Sequence, residues 1–130
     1  MRIATGDCDR TVLLWIYNEA GKKFNPELIT THEDWVRDVA FANNIGLPYE
    51  IVASCSEDRT VSICKRIDNK WTETKLPKFR VPVWRVSWSL AGNLLAVACA
   101  DNIVFVYEEK TVDKWEAVAE MNQNSASKSE

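Results

Sequence analysis

A chain of 130 residues is long enough for one ordinary domain with a buried core. Hydrophobic residues make up 46% and charged residues 27%, which excludes wholesale disorder, and a formal charge of -3 gives no electrostatic reason to expect nucleic acid or an acidic membrane surface as partner. The longest apolar run, Leu94 to Ala100, falls far short of the roughly 20 residues of a membrane-spanning helix, and no apolar run follows Arg2 as a secretory signal would require, so a cytosolic or nucleoplasmic setting is expected.

In chain order, Arg2 to Gly6 and Val12 to Tyr17 read as a hairpin closed by a turn at Asp7 to Thr11, the second run being rich in large apolar residues that suit a buried sheet. Asn18 to Asn25 reads as a surface turn and Glu27 to Thr30 as a short outer strand. A second unit starts near His32. It has an inner strand at Val36 to Phe41, a loop at Ala42 to Tyr49, a hairpin over 51 to 66 with an acidic turn at Glu57 to Thr60, a charged, solvated turn at Lys65 to Lys70 and an outer strand at Trp71 to Leu76. A third unit repeats the plan with Val83 to Trp88, Leu94 to Ala100, Ile103 to Glu108 and Trp115 to Met121. From Asn122 to Glu130 the composition is that of a disordered tail.

The segments Asp9 to Trp15, Asp58 to Cys64 and Asp101 to Tyr107 align without a gap, 49 and then 43 residues apart. Such a period marks a repeat architecture, and an Asp six residues before an aromatic at a strand end points to propeller blades. Apolar residues on both parities of LLAVACA and IVFVY fit sheets covered on two sides. The expected fold is therefore all-β, a partial propeller of about two and a half four-stranded antiparallel blades over 1–121, with an incomplete blade over 1–31, a blade over 32–76 and a last blade over 77–121, then a tail over 122–130. Trp71, Trp115 and Phe24, at matching outer-strand starts, are expected to close the blade rims.

Four cysteines, Cys8, Cys55, Cys64 and Cys99, lie in or beside strands with no CxxC pair, so buried reduced thiols are expected and a zinc site is not. No glycine pattern cradles a phosphate, and no cofactor is expected. The pairs Glu33-Asp34, Glu57-Asp58 and Glu108-Glu109 read as turn charges. His32, Ser54 and Asp58 are the residue types of a hydrolase triad, with Cys55 as a second candidate nucleophile. A reactive Ser, however, needs an exposed elbow and an oxyanion hole, whereas Ser54 lies in a core strand. A structural network is expected instead, with the carboxylate on one imidazole nitrogen and the strand hydroxyl on the other. The first unit carries Thr5, Asp9 and Trp15 at the matching positions, and the third keeps only Asp101, beside Val97 and Tyr107. Trp35, at a strand entrance, suits core packing and surface contact equally.

HEDWVRDVAF followed by IGLP and IVASCSEDRTVSI, then VPVWRVSWSLAGNLLAV ahead of ADNIVFVYEE, resembles the C-terminal part of the Sec-thirteen family of WD-repeat propellers. Such a resemblance, over roughly residues 2 to 121, implies a non-catalytic scaffold of the COPII vesicle coat and the nuclear pore Y-complex, acting in transport from the endoplasmic reticulum to the Golgi. It implies an open six-bladed ring completed by a blade inserted from a helical-solenoid partner, either a coat subunit or a nucleoporin. Membrane association would be peripheral, through the coat. The last sheet, through Val83, Trp84, Val104 and Val106, is the face expected to border the insertion, with Trp35 a further contact. Because the family has six blades, the chain reads as a C-terminal piece, a truncated isoform or a partial gene product, its missing blades on a longer product. The other expected class is a WD-repeat adaptor docking substrates for a ligase or a metal-cluster assembly complex.

Overall fold

The computed structural model describes residues 2–42 and 49–122. The period-2 runs form eleven strands among these residues, in three sheets with only antiparallel neighbours. The first sheet is β1 (Arg2–Gly6), β2 (Thr11–Asn18) and β3 (Lys23–Thr31). The second is β4 (Val36–Phe41), β5 (Glu50–Ser56), β6 (Val61–Ile67) and β7 (Lys70–Lys75). The third is β8 (Val83–Trp88), β9 (Leu94–Cys99), β10 (Ile103–Thr111) and β11 (Lys114–Asn122). Each sheet follows chain order, so each strand pairs with its neighbour in sequence. The fold class is thus all-β, as the repeat predicts.

The three aligned segments share one turn geometry. Arg10, Arg59 and Asn102 sit at φ 71°, 68° and 66°, each donating its amide to the carbonyl three residues back, in Asp7, Ser56 and Cys99. The Asp before each residue accepts the amide two residues on, Asp9 from Thr11, Asp58 from Thr60 and Asp101 from Ile103, at 3.1, 2.9 and 3.2 Å. A short acidic side chain that bonds its own backbone is what a left-handed residue needs beside it.

Several boundaries differ from expectation. β6 runs on to Ile67, and Asp68 and Asn69, both at positive φ, make the two-residue turn to β7. Lys65 is therefore a strand residue, only 6% exposed, and not part of a solvated turn. Glu108 and Glu109 likewise belong to β10. β3 begins at Lys23 within the expected surface turn, where Phe24 packs on Tyr17 with ring centroids 5.1 Å apart. Cys8 is exposed in the first turn, unlike the other three cysteines. Asn122 ends β11, and the rest of the expected tail, like residues 43–48 of the expected loop, lies outside the described residues.

Two apolar seams join the sheets. Val12, Leu14 and Ile29 of the first sheet meet Val36, Val52 and Cys64 of the second. Ile51, Ala53, Cys55, Val61 and Ile63 of the second meet Val83, Val86, Leu95, Val97, Cys99 and Tyr107 of the third. Backbones come close where small residues face the neighbour, and a methyl group on Gly6 would collide with Val36 Cγ1. Trp71 packs against the first seam and Trp115 against the second, edge-on to Trp88 at 5.7 Å. Of the residues expected to face a partner, Val83 is wholly buried in the second seam. It points back to the second sheet, because strand alternation puts it on the same face as Leu95, Val97 and Cys99.

Candidate functional site

His32 lies between β3 and β4, and its amide donates to the Arg10 carbonyl at 2.8 Å, which sets the ring over the second sheet. Nε2 is 2.8 Å from Ser54 Oγ on β5, and Nδ1 is 3.2 Å from both Asp58 Oδ2 and Thr60 Oγ1. A carboxylate can only accept, so in the neutral ring Nδ1 carries the proton and Nε2 accepts from the Ser54 hydroxyl. Asp58 also accepts the Glu33 amide at 2.9 Å and the Thr60 amide and hydroxyl at 2.9 and 2.5 Å. Burial alone would raise the Asp58 carboxyl, but the bonds from Thr60 and Glu33 and the electrostatic pull of His32 outweigh it and hold the group below its usual range.

The structure thus brings His32, Ser54 and Asp58 together, and adds Thr60, which the sequence reading did not single out. Its signal was available in the Asp-Arg-Thr turn, since the same hydroxyl contact joins Thr11 to Asp9 at 2.6 Å. Ser54 is 1% exposed and His32 6%, so no substrate reaches this hydroxyl without opening the sheet. Burial, with the Asp38 carboxylate adding to it, pushes the Cys55 thiol far above its ordinary value, and burial pushes Cys64 up to about 12. Among the described residues no group of metal-ligating side chains converges.

The other two units carry parts of this arrangement. In the first, Trp15 Nε1 donates to Thr5 Oγ1 at 2.9 Å, while Asp9 bonds only within its own turn. In the third, Phe79 takes the place of His32, its amide donating to the Arg59 carbonyl at 2.9 Å. Phe79 packs tilted against Phe105 at 5.6 Å and edge-on to Tyr107 at 6.2 Å, so an aromatic cluster stands where the second unit has polar bonds, and Asp101 keeps its turn contact.

Across the second seam run three further ties that sequence reasoning missed. Asp38 Oδ2 accepts the Val86 amide at 3.2 Å, and Trp88 Nε1 donates to the Ala40 carbonyl at 3.0 Å. Lys65 Nζ is bound by Glu109 and, at 3.3 Å, by Asp113. Burial disfavours its charge, yet these two carboxylates more than compensate and raise its pKa. The parity of Lys65 with Val61 and Ile63 was the signal for its burial.

Trp35 and Trp84 are 51% and 50% exposed, so neither is core. The Trp35 backbone is pinned through its carbonyl by Ser56 Oγ and the Glu57 amide, and Arg37 lies over its ring at 5.9 Å while also pairing with Glu57. Val104 and Val106 are partly buried on the face of β10 opposite Phe105 and Tyr107, pointing away from the second sheet. Registers make them the counterparts of Val61 and Ile63, since Val104 and Val106 lie across from Ala98 and Ala96 as Val61 and Ile63 lie across from Cys55 and Ala53.

The chain is 44% identical over 124 residues to the protein SEC13 homolog of Dictyostelium discoideum, covering 95% of the chain and 41% of that protein. It is 46% identical over 121 residues to the protein transport protein SEC13 homolog A of Arabidopsis thaliana, covering 90% and 40%, and 40% identical over 129 residues to the protein SEC13 homolog of Homo sapiens, covering 97% and 40%. The chain therefore spans about 40% of the length of the curated relatives it matches. The sequence profile described as WD domain, G-beta repeat matches residues 25–65 and 74–108, more than half of the chain, taking in most of β3 to β6 and then β8, β9 and most of β10. Repeated Asp turns, stacked antiparallel sheets and this profile together make the chain a member of the WD-repeat family, with the fold of a partial β-propeller.

Proposed function

We propose that this chain is part of a non-catalytic scaffold of protein transport, like the SEC13 proteins it is similar to, and that its third sheet accepts one further blade from a helical-solenoid partner. The partner would be a vesicle-coat subunit at the endoplasmic reticulum or a nucleoporin at the nuclear pore, and membranes would be met only through the coat. One observation carries the reading. Val12 and Leu14 in the first sheet, and Val61 and Ile63 in the second, are buried against the sheet that follows, whereas Val104 and Val106 at the same positions of the third are only partly buried. An apolar sheet face built for a neighbour loses hydrophobic stabilisation until one covers it.

The test is immunoprecipitation of the tagged protein followed by limited proteolysis of what it brings down. The expected result is a helical-solenoid partner in stoichiometric amount whose protected fragment is a β-segment, lost in Val106→Asp at an unchanged melting midpoint. Recovery of a ligase or metal-cluster assembly machine in its place overturns the reading.

A further inference from the structure

We infer that a cavity at the Asp101 end of the seam between the second and third sheets binds a tyrosine side chain of another polypeptide, together with that residue's peptide group. The cavity measures about 370 Å³ and lies between the strap over residues 77–81 and the third sheet, walled by Phe79, Ile103, Phe105 and Tyr107. Phe105 and Tyr107 pack on the second-sheet side, so the cavity belongs to a seam already closed within this chain. It is independent of what covers the outer face of the third sheet.

Here the third unit departs from the second. Around His32 the second unit is tied by hydrogen bonds, with the Glu33 amide donating to Asp58 at 2.9 Å and the imidazole meeting Ser54 and Thr60. The matching residues of the third unit are Phe79, Arg80, Val97, Asp101 and Ile103. Three of these are apolar, and the donor and acceptor that are joined in the second unit stand apart. Among the described residues the Arg80 amide donates to no acceptor, and Asp101 accepts the Ile103 amide at 3.2 Å and no second donor. Both line the cavity. Tyr107, only 8% exposed, adds a hydroxyl that makes no hydrogen bond among the described residues, although a buried phenol usually has one.

These groups define the ligand. A free amide N–H and a free carboxylate on one cavity complement a secondary amide, whose carbonyl accepts from Arg80 and whose N–H donates to Asp101. Aromatic walls take a ring edge-on or offset, and a phenol on that ring satisfies Tyr107 as donor or acceptor, which an indole N–H does not. Lys78 and Arg80 balance Asp101 and Glu120 around the cavity, which favours a neutral group over an ion. Ligand pockets span about 300–1,000 Å³, and the small end of that range suits one side chain with its peptide group. The three tyrosines of this chain are engaged, Tyr17 on Phe24, Tyr49 against the second seam and Tyr107 in the wall itself, so neither this chain nor a second copy supplies the ring. A further sheet would stack by its face, as both seams do, and not at the end of a closed one.

The test is saturation-transfer NMR on the full chain with N-acetyl-tyrosine methylamide as probe. The expected result is binding with a Kd on the order of 1 mM, ring protons most strongly saturated, and at least about threefold tighter than the phenylalanine analogue. Affinity should fall about tenfold or more when Ile103→Trp fills the cavity, several-fold in Asp101→Ala, and little in Asp101→Asn, which keeps an acceptor oxygen. Circular dichroism checks that each variant folds, and Val106→Asp, on the outer face, should leave the affinity unchanged. In cells, benzoylphenylalanine at the exposed Lys78 should capture a tyrosine-bearing segment of another protein, and lose it in Ile103→Trp. Equal affinity for the two analogues overturns the phenol assignment. Binding that ignores both Ile103→Trp and Asp101→Ala, or no saturation of either analogue, overturns the site. Capture of this protein's own polypeptide alone overturns the occupant.

Discussion

At Asp58 two opposing effects meet in one side chain. Removing water raises the energy of the carboxylate, and three hydrogen bonds, from Thr60 twice and from Glu33, together with the electrostatic pull of His32, lower it further than burial raises it. Asp58→Ala strands these donors and is expected to cost about 1–3 kcal/mol of stability, and an unchanged melting midpoint would show that the bonds contribute nothing. The pH dependence follows from the direction of the shift. A carboxyl whose folded pKa is depressed contributes stability that is present above its unfolded value, roughly 3.9, and is lost as pH falls through the lower folded value. The gap in melting midpoint between the wild type and Asp58→Asn should therefore be widest near neutral pH and close below about pH 4. A gap of the same size at pH 3 and pH 7 would contradict the ionised form as the one that counts.

Sheets in this chain are joined by seams that pair a dry centre with polar ties at the ends. The centre can be tested at Leu95, wholly buried between the second and third sheets, where truncation to Ala should cost about 2–5 kcal/mol through lost transfer energy and the cavity left behind. The tie can be tested at Lys65. Its folded pKa is raised, so its contribution is present below the unfolded value near 10.4 and is lost as pH rises through the folded value. A double-mutant cycle of Lys65→Met with Glu109→Gln should return a coupling of about 1–3 kcal/mol at neutral pH, measured by denaturant unfolding. A coupling indistinguishable from zero would mean that Glu109 does not hold the ammonium.

Stacked repeats make each sheet the cover of its neighbour, so the same residue type has different consequences at different places along the stack. Ile63 and Val106 occupy one structural position in consecutive sheets. Ile63→Asp buries an unpaired charge between two sheets and should unfold the chain at room temperature or lower its stability by more than about 3 kcal/mol. Val106→Asp meets water on an uncovered face and should cost less than about 1 kcal/mol in the protein alone while abolishing capture of a partner blade. Equal losses at the two sites would mean that the third sheet is already covered.

Strand order and type were readable before any coordinates, because alternation and turn chemistry are local. Val36 to Phe41 and Val83 to Trp88 have the bounds the period-2 pattern predicts, and the Asp turns announce themselves three times. His32, Ser54 and Asp58 could be singled out as a group because a repeat frame places them on one side of one unit. Glu109 and Lys65 were misjudged at strand ends, where a charged residue reads as a turn although it stays in the ladder. Which flank of each strand meets a neighbour was not readable, since Val83 and Val106 are chemically alike and only the stacking direction buries one and leaves the other partly open. Nor could the chain announce that Asp38 would reach Val86, or Lys65 reach Glu109, 48 and 44 residues away. Those contacts depend on how whole sheets sit against each other, and that placement comes from the sum of two apolar seams and from no single stretch of sequence.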